Sequence, residues 1–127
     1  MNKSPLREQF PTLVGEHFEV WISEGWLTLV TETLGLLRQE QGNMPGLRID
    51  EIKQKWGQLV INGEGFSERA NAIVDDAREK SSTICEVCGI QGDPILSRGR
   101  HVAGVRCAEH VSVKRGTLVA DESNKQV

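Results

Sequence analysis

ICEVCG, residues 84–89, answered by RCAEH, residues 106–110, is the stretch that decides how this chain folds. It presents Cys85 and Cys88, then Cys107 and His110, as two pairs with two residues inside each pair and eighteen between them. A two-residue gap lets both side chains of a tight turn point at one ion, and two such turns facing each other make a tetrahedron. Zn²⁺ takes that geometry and favours thiolate and imidazole ligands. The spacing is that of a zinc ribbon with His in place of the last Cys. Four protein ligands leave no position for water or substrate, so the expected metal is one structural zinc ion. Gly89 follows Cys88, where a turn brings backbone N–H groups towards the sulfurs, while Arg106 and Glu109 make the second knuckle polar. Two readings compete. A disulfide would leave one of the three thiols over, and His101 is a rival fourth ligand that lacks the paired spacing.

Outward from the cysteines, composition sets the bounds. A chain of 127 residues, 38% hydrophobic and 26% charged, is expected to be one domain, or one domain with a metal-stapled appendage. No apolar run approaches a membrane span, and MNKSPLREQF lacks the apolar stretch of a signal peptide. With thiols arranged for metal, this points to a reducing cytoplasm. Residues 1–82 carry nine Lys/Arg against thirteen Asp/Glu, and residues 83–127 carry six against five. Arg98, Arg100, Arg106, Lys114 and Arg115 form a small basic cluster beside the metal pairs. They are candidates for partner or nucleic-acid contact, although neutralising several phosphates takes a denser patch, and the acidic front opposes a polyanion. The alternative is a solvated hairpin face.

The rest of the chain divides into four pieces. Ser4-Pro5 is a helix start that Pro11 keeps short, and an apolar-rich stretch from Phe10 to Trp21 leads to a turn at Ser23-Glu24-Gly25. Trp26, Leu29, Val30, Thr33, Leu34 and Leu37 recur at three- and four-residue steps, one helical stripe, ended by Gly42-Asn43 and Pro45. Gly35 in mid-helix suggests close contact with a neighbour. LRIDEIKQKWGQLVING (residues 47–63) reads as two strands turning near Lys55-Trp56-Gly57-Gln58. A helix through Asp50–Trp56 competes, because Ile49, Ile52 and Trp56 also fit helical spacing. Phe66 before Ser67 marks a helix start, and Ala70, Ile73, Val74 and Ala77 form an apolar face running almost into Cys85. Short strands from Pro94 to Leu96 and from His101 to Arg106 then make the hairpin between knuckles. The expected architecture is α+β: two or three helices on a small antiparallel hairpin or sheet (1–82), a zinc-ribbon-like module packed on it (83–115), and a polar tail (116–127).

Three blocks in this order resemble a family of small uncharacterised phage, prophage and bacterial proteins. They are Gly25-Trp26 opening a helix, IKQKWGQL from Ile52 to Leu59, and Cys85-Glu86-Val87-Cys88-Gly89 answered by Cys107-Ala108-Glu109-His110. Trp56 stands where the family usually has Phe. Val102–Val105 replaces a region where it often has Trp. The resemblance implies a zinc-binding accessory protein from a phage or mobile element, and carries no established activity.

Catalysis finds little support in the residues. His17 has no partnered nucleophile. Glu86 and Glu109 adjoin ligands, as in zinc deaminases, but the order of motifs and the open coordination position of those enzymes are missing. Gly63-Glu64-Gly65 has the wrong spacing for a phosphate loop. The expected function is therefore non-enzymatic binding of a protein partner, with nucleic acid as the alternative and a hydrolase or deaminase a distant third. A membrane or small-molecule partner is not expected.

Overall fold

A computed structural model describes residues 4–97 and 101–111. Its elements run α1 (Ser4–Gln9), β1 (Val14–Trp21), a 3₁₀ turn (Glu24–Trp26), α2 (Leu27–Gln41), β2 (Arg48–Lys55), β3 (Gln58–Glu64), α3 (Glu68–Ser81), β4 (Asp93–Ser97) and β5 (His101–Arg106). Strands β1, β2 and β3 form one sheet in that order, and β4–β5 form a separate antiparallel ribbon. The chain is thus α+β, with the expected hairpin at β2–β3. The sheet is mixed rather than purely antiparallel, however, because β1 joins β2 in parallel with Trp21 opposite Lys53. Parallel neighbours need a crossover, and α2 supplies it.

Strand β1 is the element least visible in sequence. Its burial alternates imperfectly: Val14, Phe18 and Val20 are buried, while Glu16, His17, Glu19 and Trp21 are exposed. A register shift between Val14 and Glu19 breaks the period of two. A similar shift between Ile49 and Glu51 in β2 explains why buried Ile49 and Ile52 are three apart. That spacing is what made a helix compete with the strand.

The core fills the space between the sheet and the helices. Every residue of the stripe Trp26, Leu29, Val30, Thr33, Leu34 and Leu37 is buried, against Phe18, Val20, Ile49, Ile52, Leu59 and Ile61. Helix α3 lies beside α2 and β3. Ala70 and Ala77 are buried, while Ile73 and Val74 are half-buried at the margin. Ser67 caps α3 by accepting from Ala70 N (3.0 Å) and donates to the buried Glu40 at the end of α2 (2.8 Å). At the other end Ser81 accepts from Leu59 N (2.9 Å) and donates to Arg78 O (2.6 Å), tying α3 to the outer side of β3. Both ends of α3 are fixed, so the residues that follow it leave from a defined point.

Gly35 meets nothing: a Cβ added there has no neighbour within 4 Å, so no close contact explains the glycine. A glycine whose close approach bears on the cysteine turns is Gly25. A Cβ there would collide with Cys85 O and lie 2.5 Å from Glu86 O, because Gly25 N donates to Glu86 O at 2.9 Å. Among the described residues no helix is long and apolar enough to cross a membrane.

Candidate metal centre

Helix α3 ends at Ser81, and three residues later the chain turns back on itself. Ile84 bridges Gln91, Cys85 N donates to Ile90 O (2.6 Å), and Gly89 N donates to Cys85 O (2.9 Å). Gly89 has a φ of +87°, a left-handed conformation that glycine adopts without penalty. The second turn closes with His110 N donating to Cys107 O (3.0 Å), and β4–β5 carries the chain between the two.

Together these turns bring Cys85, Cys88, Cys107 and His110 to one point, with all four ligand atoms within 4.8 Å of one another. Cys88 Sγ lies 3.7 Å from Cys107 Sγ, and His110 Nδ1 lies 3.7 Å from Cys85 Sγ and 3.1 Å from Cys107 Sγ. Metal–ligand bonds of about 2.3 Å to sulfur and about 2.0–2.1 Å to nitrogen put tetrahedral ligands about 3.8 Å (S···S) and about 3.6 Å (S···N) apart. The Cys88–Cys107 and Cys85–His110 separations match that frame, while His110 Nδ1 stands about 0.5 Å closer to Cys107 Sγ than the frame asks. With a small adjustment the cluster could therefore hold a metal ion through Nδ1 of the histidine. Cys85 and Cys107 are buried, Cys88 is exposed and His110 is intermediate.

The electrostatics of the first knuckle suit an anionic sulfur. Burial pushes the Cys85 thiol up, but N–H groups of Cys88, Cys107 and Val87, together with the His110 ring, outweigh it and bring the thiol from 9.0 to about 6. The Cys88 thiol is raised: the Ile90 N–H lowers it, while desolvation and the neighbouring Cys107 and Cys85 sulfurs overcome that effect. Crowded sulfurs resist sharing negative charge, and a divalent cation removes that conflict.

Arg106 is not part of an exposed basic face. It is 2% exposed, and its Nη2 pairs with Oε2 of the equally buried Glu86 (3.4 Å) while its Nη1 donates to His110 O (3.0 Å). Glu86 Oε1 also accepts from Val105 N (2.9 Å) and Gln54 Nε2 (3.0 Å). Alternation along a strand gave no hint of this, because a charged residue beside a ligand reads as solvated until its partner, twenty residues away, is placed. Gln54 was missed for the same reason; its Oε1 accepts from Gly57 N (3.2 Å), so one amide joins the β2–β3 turn to the first knuckle. Arg98, Arg100, Lys114 and Arg115 lie outside the described residues, and His101 opens β5.

The knuckles are docked on the front of the chain. Trp26 Nε1 donates to Ile84 O (2.8 Å), and Val105 belongs to the main core cluster. Gly57 sits so close under Val102 that a Cβ would clash with its methyl group. Away from the centre, Trp21 is 64% and Trp56 54% exposed. Because β1 and β2 are parallel, both tryptophans lie at the same end of the sheet. Trp56 and Gly57 both have positive φ (+56° and +77°), the type I′ pattern for a two-residue turn. For a bulky side chain such as Trp56 that backbone is strained. Comparison with protein-family models, curated proteins and solved structures finds no match to this chain.

Proposed function

We propose that this chain is a non-enzymatic accessory protein, stapled by one structural zinc ion, that acts in the cytoplasm by binding a protein partner. The observation that carries the metal half is the convergence of three sulfurs and one imidazole nitrogen within 4.8 Å of one another. Three thiolates select a borderline-soft ion such as zinc over magnesium or calcium. Four protein donors complete its coordination, so the ion would hold the fold rather than activate water.

The partner half is supported by the two exposed tryptophans at one end of the sheet, with Lys53 and Lys55 beside them. Aromatic residues are enriched where proteins meet. The resemblance to small phage and bacterial proteins supplies the kind of partner, a host or defence factor. Metal analysis should return about one zinc per chain, lost in Cys88→Ser and Cys107→Ser. Pull-downs from bacterial lysate, with and without nuclease, should retain one protein in both arms and lose it in Trp21→Ala/Trp56→Ala. Full zinc in both cysteine variants removes the metal half. Capture that disappears with nuclease and weakens steeply with salt replaces the protein partner by nucleic acid.

A further inference from the structure

We infer that Glu86 and Arg106 are positioning residues for the metal centre, holding the two ligand pairs in one register before the ion arrives. The inference rests on the zinc reading above. Each residue is a chain neighbour of a buried ligand: Glu86 follows Cys85, and Arg106 precedes Cys107. Their side chains pair with each other in the protein interior, Arg106 0% and Glu86 5% exposed. Arg106 then reaches His110 O, at the far end of the second pair. Glu86 collects Val105 N from the strand that leads into the second pair. On the main chain Glu86 N donates to Val105 O (2.9 Å) and Gly25 N donates to Glu86 O (2.9 Å). The first knuckle, the second knuckle and the start of α2 therefore meet at one residue.

Net stability gives little reason for such a pair. Burying two charges costs several kcal/mol per ion, and apolar residues of similar volume usually serve as well. Geometry does give a reason. The two ligand pairs are joined through β4–β5, a two-stranded ribbon with no third strand beside it among the described residues. Ribbons of two strands twist more than wider sheets, so the relative placement of Cys107 and His110 against Cys85 and Cys88 needs a tie of its own. A planar guanidinium with bonds to both Glu86 and His110 O resists that twist, as a point charge does not. Outer partners of this kind set metal affinity without touching the metal.

The test titrates metal-free wild type, Glu86→Gln and Arg106→Lys with Co²⁺, reading the visible bands of a tetrahedral thiolate site, and with Zn²⁺ against a chromophoric chelator. Glu86→Gln should bind both ions about 10–100-fold more weakly, with the wild-type Co²⁺ spectrum, since all four ligands remain. Arg106→Lys keeps a charge opposite Glu86 but cannot reach His110 O as well. It should lose affinity by a smaller factor, and it decides the matter if Glu86→Gln fails to fold. Wild-type affinity in a variant whose metal-free and metal-bound forms lose equal stability overturns the inference, because the pair then serves packing alone. A changed Co²⁺ spectrum in either variant overturns it as well. A wild-type chain that takes up neither ion removes the zinc reading itself, an outcome distinct from the other two.

Discussion

Replacing Gly25 by Ala tests how the metal knuckles are held on the body of the protein. The added methyl would overlap Cys85 O and stand 2.5 Å from Glu86 O, and both are backbone atoms that no rotamer change can move. Relief requires the knuckle to lift from the start of α2. That loses the bond from Gly25 N to Glu86 O and strains the one from Trp26 Nε1 to Ile84 O. Two hydrogen bonds contribute about 1–3 kcal/mol, and forcing a methyl into a packed site costs about 1–3 kcal/mol. The expected loss is then about 2–6 kcal/mol. For a chain of this size it lowers the melting temperature by roughly 3–5 °C per kcal/mol. The assay is urea unfolding of the zinc-loaded protein at constant free zinc, followed by tryptophan fluorescence, with helical circular dichroism as a second probe. A loss below about 1 kcal/mol with unchanged slope would refute the reasoning, since it would mean that the knuckle is not seated on Gly25.

Gly35→Ala should have the opposite sign. It lies inside α2 with open space where the methyl would go, so unfolding should become harder by about 0.5–1 kcal/mol. Removing zinc by chelation should lower the stability of the whole chain, not only of residues 84–111, because Trp26, Gly25 and Gln54 all bond to the first knuckle. A melt of the metal-free form in which helical signal is unchanged would make the knuckles an independent appendage. Acid should release the metal. The Cys85 thiol is depressed from 9.0 to about 6, so its contribution to folding is fully present above its ordinary range and disappears as pH falls through about 6. Protons compete with the metal in the same direction. Zinc release measured by chelator absorbance should therefore increase on acidification, beginning below that value because the bound ion holds its thiolates against protons, and zinc affinity that does not change with pH counts against thiolate ligation by Cys85. Leu34→Ala, at a fully buried site, should cost about 2–5 kcal/mol, and Ile73→Ala, half-buried at the margin, should cost clearly less in the same unfolding assay.

What the sequence determined by itself lies in features whose physics is local. The four-donor set was legible because tight turns impose a two-residue spacing. Helix α2 was legible because its stripe repeats with the helical period, and α3 because the capping Ser67 directly follows Phe66. The β2–β3 hairpin followed from Trp56-Gly57 between alternating segments. Tertiary structure decided the rest, and in each case the cause lies far along the chain. Strand β1 is a strand because β2, thirty-two residues on at Trp21 opposite Lys53, offers it a parallel partner, while its own alternation is broken by a register shift. Gly25 matters because the Cys85–Glu86 backbone packs on it, and Gly35 does not because nothing packs there. Arg106 turned inward because Glu86 waits for it in the interior. A charge on a strand has two favourable fates, water or a buried counter-charge, and only the folded chain shows which one is within reach.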